Sequence, residues 1–365
     1  MKTGKSLIEL ATEIERQRET RVDYVAPTPM LIMQPTADLS GPKDVELAGL
    51  PQPMALNNLA HRQLGSHVEI PATYYDRMRT NAPALLSTNV NHWFASDPSK
   101  RMVRTLDGRV RAFLSDAYRP LENADLAEAV LPALLTMDIE ILSCEITERR
   151  LYIKAVDKRI NLDVPTGKNR MGDGSHVIFD TLSPAIVISN SEVGAGALSV
   201  ESGVWTKACT NLAIFASRSM KKYHVGGRHA VADNMVHLLS DKTRKLSDQA
   251  TWAQVADVVR GAFDEAKFAA SVDEIRGMET QMIGGDVIKV VDLAAKTLDI
   301  REMEKPSILR HLVEGGDLSR YGLFNAITRT AEDLPDYDRA TDFERMGGKL
   351  IELAPTEWRR IAEAA

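Results

Sequence analysis

Five basic side chains crowd one short stretch: Lys100, Arg101, Arg104, Arg109 and Arg111, with only Asp107 and Asp116 as nearby acids. Side chains alternate across a strand, so Arg109 and Arg111 share a face, which Arg104 joins across a hairpin if the register allows. Such a face could track phosphates. Tyr118 and Arg119 follow, and His92-Trp93-Phe94 precede, a mixture of bases and aromatics that binds single-stranded nucleic acid by charge and stacking. The alternative is a solvated strand face with its aromatics in the core.

A second basic run holds Arg218, Lys221, Lys222, Tyr223, His224, Arg228 and His229, with no acid from Ala216 through Val231. Gly226-Gly227 in its middle lets backbone amides approach an anion closely. The same composition fits a helix C-terminus, where cations complement the dipole and glycine ends the helix.

Other groupings carry less. Gly194 and Gly196 invite a nucleotide-loop reading, but Ser199 stands where a third glycine belongs, and a turn between strands with Glu192 capping or pairing accounts for them better. Cys209 could pair with His224 or His229 as a thiolate nucleophile. Among Trp205, Leu212 and Ile214 it reads more simply as a small core residue. The histidines form no HxH or HExxH pairing; His176 with Asp173 and Asp180 is a loose grouping that a polar loop explains as well. No acid–base pair stands out, so neither a catalytic set, a metal nor a cofactor is expected.

Positioning these residues requires a substantial scaffold. With 365 residues and 44% hydrophobic content, the chain can build one large core or two modest ones. The formal net charge is −6, so any nucleic-acid site must be a local patch. Two cysteines cannot make a disulfide framework, and neither a leader-like apolar segment nor a membrane-length apolar run is evident. A soluble cytoplasmic protein is expected.

Helical spacing of Leu7, Ile8, Leu10, Ala11 and Ile14 predicts a helix over 6–21, followed by an extended arm from Ala26 to Pro35. A helical pair is predicted between Leu56 and Thr80, with Ile70-Pro71-Ala72-Thr73 as a start signal. Arg101–Leu106 and Arg109–Leu114 flank Asp107-Gly108, the dipeptide of a type I′ hairpin turn. Then come a helix over 123–136, strands over 140–147 and 150–156, a polar loop over 161–175, strands over 177–179 and 185–189, and helical periodicity from Asp233 to Leu298. Hairpins mixed with helices, without regular β-α-β alternation, predict an α+β fold: a hairpin-rich antiparallel sheet packed with helices, and a helical C-terminal third. The expected division is an N-terminal helix and arm over 1–50, an α+β core over 51–230 and a mainly helical region over 231–365.

Three segments together carry a family likeness: Arg109-Val-Arg-Ala-Phe-Leu-Ser-Asp-Ala-Tyr-Arg-Pro120; Asn190-Ser-Glu-Val-Gly leading to Cys209-Thr-Asn211; and Phe324-Asn-Ala-Ile-Thr328 with Gly347-Gly348 and Leu353-Ala-Pro-Thr-Glu-Trp358. Over roughly Leu56 to Ile361 the chain resembles the phage and plasmid proteins grouped as domain of unknown function 932. The resemblance supplies no catalytic residues. It implies a setting beside DNA-processing functions and, by analogy of fold, a kinship with single-strand annealing proteins.

The leading expectation is a non-catalytic binder of single-stranded DNA, able to self-associate and not membrane-bound. Arg104, Arg109, Arg111, Arg119, Arg218, Lys221, Lys222, His224 and Arg228 would contact phosphates, and Trp93 or Tyr118 would stack on bases. The alternatives are a nucleotide- or nucleic-acid-modifying enzyme using Cys209, His224 or Glu192, and a structural or regulatory partner anchored by Phe324, Tyr337 and Trp358.

Overall fold

A computed structural model describes residues 1–36, 44–166, 179–222 and 241–364. The N-terminal helix α1 (Leu7–Thr20) starts where Ser6 and Glu9 form a reciprocal capping box, each side chain accepting from the other's backbone N–H. The segment expected as an arm is instead built into sheets. β1 (Val22–Pro27) is the edge of one, and β2 (Ile32–Pro35), β3 (Val45–Ala48) and β4 (Met54–Ala55) make another.

Three helices follow: α2 (Asn58–His67), capped by the Asn57 side chain, α3 (Ala72–Asn81) and α4 (Pro83–Ser96). The third was not predicted, although Pro83 opens it and Leu86, Val90 and Phe94 recur every fourth residue and are buried. The hairpin forms as predicted, from β5 (Lys100–Leu106) and β6 (Arg109–Ser115), with Asp107 at φ +51° and Gly108 at φ +71°. β1 pairs with β5, so this sheet runs β1-β5-β6. Residues from β2–β4, α2–α4 and the hairpin share one apolar core.

After α5 (Asn123–Thr136) comes the large antiparallel sheet, built from β7 (Glu140–Ile146), β8 (Leu151–Val156), β9 (Leu162–Pro165), β10 (Phe179–Asn190), β11 (Leu198–Thr206) and β12 (Asn211–Lys222). Its order is β12-β11-β10-β8-β7, with β9 also paired to β10. From Phe179 onward, the two short strands predicted around 177–189 are a single long one. Pro184 fits inside it because the pairing with β8 begins at Ala185 and the pairing with β9 ends at Leu182, leaving the proline between two partners.

Helices α6 (Asp241–Gly261), α7 (Glu265–Ile275), α8 (Val287–Leu298), α9 (Lys305–Gly315), α10 (Arg320–Asp333), α11 (Tyr337–Glu352) and α12 (Pro355–Ala362) complete the described chain. Strand alternation divides the large sheet's side chains. Ile153, Ala155, Ile186 and Ile188 pack with α1, α5 and α6, while Tyr152, Val156, Ala185 and Val187 pack with Tyr337 of α11. Both faces are therefore covered, and the architecture is α+β with a helical C-terminal region.

Candidate functional site

The hairpin arginines do not form the solvent-facing stripe that alternation suggested. Arg104 is 0% exposed. It donates from Nε to Asp23 Oδ1 at 2.9 Å, from Nη2 to Glu122 Oε1 at 2.8 Å and from Nη1 to the Glu192 carbonyl at 2.7 Å. A register shift in the hairpin leaves Arg111 as the extra residue of a bulge, and it too is buried, donating from Nη1 to Glu192 Oε2 at 2.9 Å. A buried guanidinium committed to the chain's own carboxylates has little to offer a phosphate, so the phosphate role expected for these two is corrected to a structural one.

Glu192 both caps and pairs: its other oxygen accepts the Asn123 N–H at 2.6 Å, at the start of α5. Burial opposes its ionisation, but Arg111 and that N–H outweigh burial and hold its pKa below the usual carboxylate range. Glu122 goes the other way. Burial, reinforced by the Glu192 carboxylate and only partly offset by Arg104 and Arg21, pushes it up to about 7.

The other expected residues are dispersed. Arg119 pairs with Asp248 at 2.6 Å, and Arg218 stacks over Phe215 and reaches Glu274 and Ser271. Tyr118 donates to the Ser191 carbonyl and accepts the Gly194 N–H, so its hydroxyl serves the β10–β11 turn. Arg109, Lys221 and Trp93 are exposed, each on a different element. His224 and Arg228 lie outside the described residues, as do His229, His176 and Asp173, and nothing is described of the Lys222 side chain. Cys209 and Glu192 line separate cavities, which argues against a shared catalytic set. Among the described residues no cluster of metal-ligating side chains occurs, and no helix is long and apolar enough to cross a membrane.

What the fold assembles instead is an open groove of about 580 Å³ between α2, the hairpin and the β10–β11 turn. Arg62, Gln63, Ser66 and His67, spaced one and four apart, present one face of α2 to it. Gln63 fixes the walls, donating to the Val193 carbonyl at 2.7 Å and accepting the Phe113 N–H at 2.8 Å. The wall at Gly194 must be glycine: its φ is +75°, and a Cβ there would lie 2.7 Å from Leu114 Cδ2.

Arg101 enters this groove lying over the Phe113 ring, 5.1 Å from its centroid. Its Nε is buried with no hydrogen-bond partner, and no acid among the described residues forms a salt bridge with it. Burial lowers its pKa, with Asp116 acting weakly the other way. His67 is also pushed down, first by burial and then by Arg101, so near neutral pH it offers a neutral ring beside the cation. Arg62, half exposed, is held by Asp76 at 2.6 Å. A partly desolvated guanidinium with no salt-bridge partner among the described residues has the chemistry to attract an anion. The sequence reading noted Arg101 but missed the α2 face, which the recurrence of polar residues at 62, 63, 66 and 67 could have revealed.

No family model matches the chain, and neither a curated protein nor a solved structure is similar to it.

Proposed function

We propose that this chain is a non-catalytic nucleic-acid-binding protein of phage or plasmid type that takes single-stranded DNA phosphates into the groove between α2 and the β5–β6 hairpin. The observation that carries this reading is Arg101, partly buried over an aromatic ring in an open groove and with no salt bridge to an acid among the described residues. The net charge of −6 suits a local contact of this kind better than extended tracking of a duplex. Exposed Trp93 and Arg109 are secondary contacts in the proposal, and self-association along a strand accompanies it.

The test is fluorescence anisotropy with a labelled single-stranded oligonucleotide across a salt series, with the matching duplex as control. Affinity should fall with salt and favour the single strand. Arg101→Ala should weaken binding by about 1–3 kcal/mol and flatten the salt slope by roughly one phosphate's worth. Absence of binding at low salt, or an Arg101→Ala protein that binds as well as the wild type, removes the proposal.

A further inference from the structure

The β10–β11 turn that forms one wall of the groove is also anchored in the buried charge cluster. Glu192 follows β10 and is 5% exposed; one residue on, the Val193 carbonyl accepts from Gln63, and Gly194 lines the groove. Asn190, at the end of β10, is fully buried and donates from Nδ2 to the Leu121 carbonyl and to the Asn123 side chain, so the turn is bound to the chain on both sides of Glu122.

Between these bonds the carboxyls of Glu122 and Glu192 lie within hydrogen-bonding reach of each other. Arg21 marks their meeting point: its Nη1 contacts Glu122 Oε2 and lies 3.7 Å from Glu192 Oε1. The remaining two oxygens are taken, Glu122 Oε1 by Arg104 and Glu192 Oε2 by Arg111. The other charged groups around the pair are Arg18 of α1, Asp23 of β1 and Asp125 in the first turn of α5, with Glu128 and Asp248 acting on Asp125. Tyr118 faces the pair too, but burial keeps its hydroxyl neutral. Two carboxylates held together away from water cannot both ionise cheaply, so one proton is shared between them.

We infer that the Glu122–Glu192 pair is a proton-operated latch: with one proton between them the carboxyls hold the β10–β11 turn against the start of α5, and loss of that proton sets them repelling and frees the turn. Glu122 is pushed up to about 7 while Glu192 stays low, so the proton leaves across the neutral range. The latched state binds the proton more tightly than the open one, in which Glu122 titrates near 4.5. The latch is therefore at full strength below about 4.5 and weakens as pH rises through about 7. The turn is a wall of the groove, yet the inference concerns the turn itself and stands whether or not the groove takes a phosphate.

The experiment is backbone amide hydrogen exchange, read by NMR as protection factors at pH 6 and pH 8. The reporters are the Asn123 N–H, which donates to Glu192 Oε1 at 2.6 Å, and the Ala195 N–H, which donates to Ser191 Oγ at 2.9 Å. Their protection should fall about tenfold between the two pH values, the factor that titration near 4.5 in the open state and near 7 in the latched state gives. The Arg276 N–H, at the end of α7, should keep its protection. Glu122→Gln, whose carboxamide stands in for the protonated acid, should abolish the fall. Urea too dilute to unfold the chain should leave the effect unchanged, because local opening exposes little surface. Carboxyl 13C shifts of the wild type need no variant: Glu122 and Glu192 should both respond to one step near pH 7, because they share the proton. Protection that is flat with pH, a fall retained in Glu122→Gln, exchange at the turn as urea-sensitive as that of buried β8, or a Glu122 step near 4.5 overturns the inference.

Discussion

At the scale of single residues, the buried charges around Glu192 show why composition alone misleads. Arg104 sits 81, 88 and 18 residues from its partners Asp23, Glu192 and Glu122, so no local window could reveal that its charge is already spoken for. Arg101, three positions earlier, forms no salt bridge with an acid among the described residues, and the two differ in which face of β5 they occupy and what the fold places there. Glu122 gives this network a pH signature. An ordinary glutamate titrates near 4.5, whereas in the folded chain Glu122 titrates near 7 because it is buried. The folded state therefore binds the proton more tightly, and the stabilisation from this group is fully present below about 4.5 and lost as pH rises through about 7. Glu122→Gln, which mimics the protonated form, should be close to neutral at pH 5 and stabilising relative to the wild type at pH 8. Urea unfolding at the two pH values checks this, and a variant whose stability relative to the wild type does not change with pH refutes the assignment.

Elements were more legible than contacts. The hairpin was readable because Asp107-Gly108 demands positive φ at both positions, and the helix over 123–136 was bounded correctly by its apolar periodicity. Strand partners were not readable. β1 completes a sheet with residues some eighty positions away, and a run that looks like an arm in sequence becomes an edge strand only when β5 is beside it. The same holds for Gly347-Gly348, visible as a motif but without a stated purpose. Inside α11, a Cβ on Gly348 would fall 1.9 Å from the Ile214 carbonyl oxygen of β12, and one on Gly347 would fall 2.3 Å from Thr328 of α10. Glycine is what lets this helix lie directly on the sheet backbone. Gly348→Ala should destabilise the protein by about 2–3 kcal/mol, the upper range for overpacking, because the obstructing atom is backbone and cannot rotate away. Gly315→Ala, with open space around its Cβ, is the matched control and should cost less than about 1 kcal/mol. Similar unfolding midpoints for the two variants would show that α11 can shift off β12.

Across the whole molecule, the expected separation of a core over 51–230 from a helical region over 231–365 meets a core that runs through both. The C-terminal helices pack on Val164, Leu182, Val204, Ala213 and Phe215 of the large sheet. Polar bonding crosses the same line: Lys154 on β8 and Glu344 on α11, both 0% exposed, lie 2.6 Å apart, with the lysine also 4.5 Å from the centre of the Tyr337 ring. A buried ion pair of this kind contributes little net stability, because desolvation offsets attraction, yet removing one partner strands the other charge in the interior. Lys154→Met should therefore cost about 3–5 kcal/mol, and Lys154→Met/Glu344→Leu should recover most of that loss. If sheet and helices form one cooperative unit, both variants unfold in a single denaturant transition that is displaced but not split. A second transition appearing in Lys154→Met, with the sheet's tryptophan signal intact while helical dichroism is lost, would instead mean that the helical layer can detach from the sheet by itself.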